Sequence, residues 1–392
     1  MRPHAFWGSM QGWTAGNRWP VAGNAPTTGR RVAAQRQAGR PGPPAVVRGA
    51  EHPPTDVSVS PMKWQTVLLA LAFACGGLRG KGLRLEAYAY PFPTKVYRLE
   101  SQRQTLEMVY MDVPPVPPSR GTVLLFHGKN FSGSYFGQTA AALRAAGYRV
   151  VIPDQIGFGK STKPAHYQYT FQQLARNTWQ LLHALGMQHV HVLGHSMGGM
   201  IATRFALMYP EHVTSLTLLD PLGLEDWKAK GVPYTSVDDN YRHELAKTPD
   251  SLRRYEQKSY YDGKWRPEYQ PWVDQAASFS RSPDYPLMAW NQALTSDMIF
   301  TQPVVYELPL LRVPTLLIIG QRDRTAIGAS ASAPPSVREK LGDYPALGRA
   351  AHAAIPNSEL VELDGVGHLP HIEAFDRFFP PFRAFLNRHS GQ

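Results

Sequence analysis

The sequence predicts an α/β fold with a mostly parallel sheet of the eight-stranded type, helices on both faces and a helical insertion after the sixth strand. Three observations carry this reading. From Gly121 onward, short continuous apolar runs alternate with amphipathic segments of helix length, the pattern of strands buried on both faces and joined by crossover helices. A serine among glycines, Gly194-His195-Ser196-Met197-Gly198, stands directly between one such run and one such helix. The rhythm then breaks between Asp220 and Val313 and resumes afterwards, so the regular pattern is interrupted once by a long insertion.

The elements follow in chain order. Residues 1–61 are rich in Pro, Gly, Ala and Arg and lack a sustained period, so they are expected to be disordered or to precede the true translation start. Met62-Lys63-Trp64 and the apolar run from Val67 to Ala74 read as a signal peptide over 62–74, the alternative being a buried helix or strand. Export to the periplasm or beyond is therefore expected. Leu71-Ala72-Phe73-Ala74-Cys75 resembles a bacterial lipobox, with Ala72 where Leu is commonest, so Cys75 is a candidate for lipidation and membrane anchoring, simple cleavage being the alternative. Cys75 is the only cysteine, which excludes an intramolecular disulfide.

Residues 75–84 read as a tether, and the folded body is expected over 85–219 and 314–392, interrupted by 220–313. Lys95 to Glu100 and Leu106 to Asp112 make a hairpin pair joined at Ser101-Gln102-Arg103-Gln104. The Pro114-Pro115-Val116-Pro117-Pro118 run stiffens the next link. Strands at Thr122 to Phe126, Tyr148 to Ile152, Val190 to Leu193 and Val213 to Leu219 alternate with helices at Phe136 to Ala146, Thr170 to Leu185 and Met197 to Tyr209. After the insertion come a strand at Thr315 to Ile319, a helix at Tyr344 to Ala354, a strand at Leu360 to Leu363 and a helix at His371 to Asn387.

The formal charge of +11 first suggests nucleic acid, but seven arginines against Glu51 and Asp56 give residues 1–61 a net of +5. The remaining excess is scattered, with no basic stripe interleaved with aromatics, so nucleic-acid binding is not expected. No metal-ligand spacing and no dinucleotide fingerprint occurs, so neither a metal nor a cofactor is implied.

An alcohol is a weak nucleophile at neutral pH, so a catalytic Ser196 needs a base and a carboxylate that orients the base. Two positions supply them. Asp323 follows the strand run Leu316-Leu317-Ile318-Ile319, and His368 follows the last strand in Asp364-Gly365-Val366-Gly367-His368. Both stand at carboxyl ends of expected strands, the edge where parallel sheets carry their sites. Asp220 also ends a strand and is the alternative orienting acid. The backbone N–H of Met197, at a helix N-terminus, is a donor for a developing oxyanion.

Together with Phe126-His127-Gly128 and Asp154-Gln155-Ile156-Gly157-Phe158-Gly159-Lys160-Ser161, these motifs resemble the α/β-hydrolase fold superfamily over roughly Leu85 to Asn387. The resemblance implies a second oxyanion donor in the backbone N–H of Lys129, with Asn130 as the alternative, and a cap made of the insertion. The Lys129 side chain is expected to be solvated, the Asp154 turn to be structural, His127 and His195 to be scaffold, and His371 to lie at the surface or against the cap. The reaction expected is hydrolysis of a carboxylic ester of a small-molecule acyl substrate through an acyl-enzyme. Cofactor-free haloperoxidase or perhydrolase chemistry and carbon–carbon bond hydrolysis are the alternatives within the fold; a non-catalytic binding protein is the alternative of another class. The sequence leaves the acyl group and the oligomeric state open.

Overall fold

The structure, a computed structural model, describes residues 82–86, 88–327 and 332–391. The export segment, Cys75 and the first part of the tether lie outside the described residues. Leu85, the expected start of the folded body, is buried with Phe279 and Met288.

Eight strands form one sheet: β1 (Thr94–Ser101), β2 (Gln104–Val113), β3 (Gly121–Phe126), β4 (Tyr148–Pro153), β5 (Val190–His195), β6 (Val213–Leu219), β7 (Thr315–Gly320) and β8 (Ser358–Leu363), in the order β1-β2-β4-β3-β5-β6-β7-β8. β2 runs antiparallel to both neighbours, and the remaining pairs are parallel. The register sets Phe126 beside Gly194, His195 beside Leu219, Leu219 beside Ile318 and Gly320 beside Leu363. The loops that follow β3, β5, β6, β7 and β8 therefore leave the sheet along one edge.

Alternation along each strand divides the apolar side chains between two faces. Leu124, Phe126, Val192, Leu216 and Ile319 pack on one side with α2 (Phe171–Ala184), α3 (Met197–Met208) and α9 (Tyr344–Ala354). On the other, Val123, Leu125, Leu193 and Ile318 pack with α1 (Gly137–Ala145) and α11 (Phe375–His389), the latter through Phe378, Phe382 and Phe385. Strands covered on both sides need no polar alternation, which is why they read as unbroken apolar runs.

Between β6 and β7 lie α4 (Val237–Leu245), α5 (Pro249–Ser259), α6 (Gln270–Ser280) and α7 (Tyr285–Thr301). Their starts are encoded locally. Ser236 caps α4 by accepting from Asp239 N, and Thr248 with Ser251 forms a capping box on α5. Tyr260, Tyr261 and Tyr269 of this segment join the apolar cluster on the α11 side of the sheet, while Tyr285 packs against the small separate cluster of Leu85, Phe279 and Met288.

The structure departs from expectation at two helix boundaries. The helix expected from Phe136 is preceded by a 3₁₀ turn over Gly133–Phe136, and α1 starts one residue later. The helix expected from His371 is two pieces, α10 (Pro370–Glu373) and α11, parted at Ala374 with φ −145°. Glu373 explains the break, because its carboxylate accepts from Gly367 N at 2.7 Å and pairs with Arg322, holding the turn against the loop that carries His368. A four-residue α8 (Pro335–Arg338) completes the set. Among the described residues no helix is long and apolar enough to cross a membrane.

Candidate active site

The turn after β5 places Ser196 at φ 57° and ψ −123°, a conformation that costs a non-glycine residue on the order of 1–3 kcal/mol. Glycines make that turn possible. A Cβ on Gly194 would overlap the Gly198 carbonyl, and a Cβ on Gly198 would overlap Phe126 O at the end of the neighbouring strand. A serine before a helix ordinarily spends its hydroxyl on capping, but Ser196 makes no side-chain cap bond to α3. Its backbone is fixed instead, with N donating to Leu219 O at 3.2 Å and O accepting from Gly199 N and Leu222 N.

The structure brings the three expected side chains' loops to this edge and joins two of the side chains directly. His368 Nδ1 and Asp323 Oδ2 lie 2.6 Å apart, both fully buried. The other Asp323 oxygen accepts from Thr325 N at 2.8 Å, so the carboxylate is clamped from both sides. His368 Nε2 is buried without a partner among the described residues. Tyr260 from the inserted segment stacks on the imidazole, ring centroids 5.0 Å apart, and its carbonyl accepts from His368 N.

Asp220, the alternative orienting acid, does not bind His368. Its Oδ1 accepts from Gly320 N at 2.8 Å, and burial, with Asp323 beside it, pushes its carboxyl well above the ordinary carboxylate range.

The loop after β3 lies against the serine turn: a Cβ on Gly128 would come within 3.1 Å of Ser196 Cβ. The backbone N–H groups of Lys129 and Met197 have no acceptor among the described residues. Two unspent amides flank one serine, which is the arrangement an oxyanion hole requires.

The neighbouring histidines hold loops. His127 Nδ1 donates to Gly128 O and its Nε2 accepts from Gln155 N. His195 Nε2 donates to His368 O at 2.7 Å, while its Nδ1 accepts from Tyr135 OH, which in turn accepts from Gly128 N. The Asp154 turn is likewise structural, its carboxylate accepting from Gly133 N, Lys160 N and Tyr90 OH.

Two expectations about side chains are corrected. Lys129 is not solvated: its side chain is buried, donates to Gln292 Oε1 at 3.1 Å and pairs with Glu244 at 3.5 Å. Helices α4 and α7 supply both partners, so its burial depends on residues more than a hundred positions away. His371 lies neither at the surface nor against the cap alone; it is buried among Tyr135, Phe136 and His195, and burial with His368 nearby pushes its imidazole down to about 3. No sequence signal separates such a histidine from an exposed one.

Among the described residues no cluster of His, Cys, Asp and Glu could hold a metal ion.

Comparison with known proteins agrees with this geometry. Residues 121–375 match the model of the alpha/beta hydrolase fold family. The chain is 27% identical over 270 residues to Lipase 1 of Psychrobacter immobilis and 28% identical over 273 residues to Lipase 3 of Moraxella sp. (strain TA144), each match covering 67% of this chain and 76% of the relative. The solved structure of a probable hydrolytic enzyme from Pseudomonas aeruginosa PAO1 superposes with a TM-score of 0.76 at 50% identity, covering 78% of this chain and 97% of that one. A parallel sheet with a strained serine turn, an aspartate-bound histidine at the same edge and a family match over most of the folded body lead to one conclusion: the chain belongs to the alpha/beta hydrolase fold family of hydrolytic enzymes.

Proposed function

We propose that the protein is a serine hydrolase that cleaves carboxylic esters through an acyl-enzyme. Ser196 Oγ attacks the ester carbonyl while His368 Nε2 accepts its proton and then returns it to the leaving alcohol. Asp323 fixes the imidazole with its proton on Nδ1 and stabilises the imidazolium that forms. The N–H groups of Lys129 and Met197 receive the oxyanion, and the positive end of α3 adds to their effect. Water then attacks the acyl group by the same route in reverse. Residues 220–313 act as the cap, and Tyr260 shields His368 from bulk water.

The observation that carries this reading is the state of His368: one ring nitrogen committed to a buried carboxylate, the other buried and unspent, at the same sheet edge as a serine whose hydroxyl caps nothing. Two relatives named as lipases support ester cleavage. The test is covalent trapping. A fluorophosphonate is expected to modify Ser196 in the folded protein, and Ser196→Ala to abolish turnover of a p-nitrophenyl ester; a protein left unmodified, or a fully active alanine variant, refutes the assignment. We also propose export, with cleavage before Cys75; mass spectrometry of the secreted protein checks it, and an exported chain that retains residue 1 contradicts it.

A further inference from the structure

A cleft with a cavity volume of about 60 Å³ opens between the loop after β3 and helices α4 to α7, and Lys129, one of the two proposed oxyanion donors, lines it. Phe131, Phe158, Leu252, Phe279 and Met288 make most of its wall apolar. The polar groups in it are concentrated and incompletely paired. Lys129 Nζ carries three protons and has two acceptors, Gln292 Oε1 and Glu244 Oε1. Gln292 turns its oxygen to that ammonium, which leaves its Nε2 buried with no acceptor. Glu256 Oε2 is also buried without a partner.

Charge in the cleft is unbalanced. The Glu244 carboxylate is shared between Lys129 and Lys247, the latter at 2.6 Å. Burial alone would raise Glu244, but the two ammonium groups outweigh it and hold the carboxyl below its ordinary value. Glu256 contributes no compensating charge at neutral pH, because burial pushes its carboxyl up to about 8. Two cations thus face one anion, one proton of Lys129 Nζ is left over, and Gln292 Nε2 lacks an acceptor among the described residues. A buried donor left unpaired is costly, and an anionic acceptor would recover that cost while neutralising the excess charge.

We infer that the cleft selects esters carrying a carboxylate on the half of the molecule that enters it, with Lys129 Nζ and Gln292 Nε2 as the groups that bind that carboxylate. The inference rests on the ester-hydrolase reading and names its substrate class. Because Lys129 also offers its backbone N–H to the reacting carbonyl, the carboxylate lies within one lysine side chain of the scissile bond. That geometry suits monoesters of short dicarboxylic acids, with the apolar wall covering the methylene chain. It disfavours long neutral acyl chains, which would leave the donors unpaired.

The test compares monoethyl adipate with ethyl hexanoate, a neutral ester with the same acyl carbon count. A charge-assisted hydrogen bond contributes about 1.5–3 kcal/mol, so kcat/KM is expected to favour the charged ester by roughly 10- to 100-fold. Lys129→Met is expected to bring the ratio close to one, Gln292→Leu to lower it, and Glu244→Gln, which removes the competing anion, to raise it. The ratio cancels any general loss of activity in a variant. It should also fall as pH rises through about 8, where Lys129, pushed down to about 8 by burial, loses its charge and Glu256 gains one; Glu244 and Lys247 are the other charged groups facing them. Calorimetry on Ser196→Ala protein reads the same preference without chemistry: monoethyl adipate should bind more tightly than ethyl hexanoate, and less tightly once Lys129→Met is added. Equal binding, no binding of either ester, or a preference for the neutral one overturns the inference. Absence of a fluorophosphonate adduct would instead refute the ester-hydrolase reading, leaving the calorimetric preference to be judged separately.

Discussion

At Ser196 the backbone is strained so that the hydroxyl stays free, and at Asp323 two donors keep one carboxylate in place. Asp323→Asn keeps the shape but presents the wrong group to Nδ1, so kcat is expected to fall on the order of 10³–10⁴-fold in ester assays. Asp220 should behave in the opposite way. Asp220→Asn keeps an acceptor for Gly320 N while replacing a carboxyl that burial and Asp323 already push well above its ordinary range, and turnover is expected within about threefold of the parent. A large loss there would make Asp220 the orienting acid after all. Glu256 sets a pH-dependent stability. Its folded value of about 8 lies above the ordinary 4.5, so its contribution is full below the unfolded value and is lost as pH rises through the folded one. Glu256→Gln is therefore expected to stabilise the protein near pH 8, on the order of 1–3 kcal/mol in denaturant melts, and to change little at pH 4.

The elements divide by how local their determinants are. The hairpin of β1 and β2 turns through Gln102 and Arg103, both at positive φ, 51° and 62°. Gln102 is anchored by two bonds to the Gln168 backbone, but the Arg103 side chain makes none among the described residues, so Arg103→Gly is expected to raise stability by about 0.5–1 kcal/mol without altering turnover. A lower melting temperature would show that the arginine does more than tolerate the turn. That hairpin, the central strands and the serine turn were all legible in sequence, because apolar continuity and glycine spacing are properties of a few consecutive residues. Asp323 and His368 were legible for a related reason: each closely follows a strand, and parallel strands deliver their ends to one edge. The burial of Lys129 and His371 was not legible. It is decided by Gln292, Glu244, Tyr135 and His195, which reach those positions only after the chain has folded.

At the scale of the whole molecule, the eight strands of the described residues and the buried members of both apolar faces lie beyond residue 93. A chain beginning at residue 82 is thus expected to unfold in one cooperative transition and to retain ester turnover, checked by calorimetric melting and a p-nitrophenyl ester assay; loss of cooperativity would mean that earlier residues complete the fold. The groups assigned to bond making, Ser196, Asp323, His368 and the two amides, all leave the sheet edge, and His195 links the His368 loop to the Gly128 loop beneath them. The groups assigned to choosing a substrate come largely from the inserted helices. Drift within α4 to α7 can therefore change the diet of descendants of this chain while the reactive machinery is inherited intact. Lys129 is the exception, since its main chain is proposed to serve the reaction and its side chain the choice, so that at this one position a lineage would not revise its appetite without also disturbing its speed.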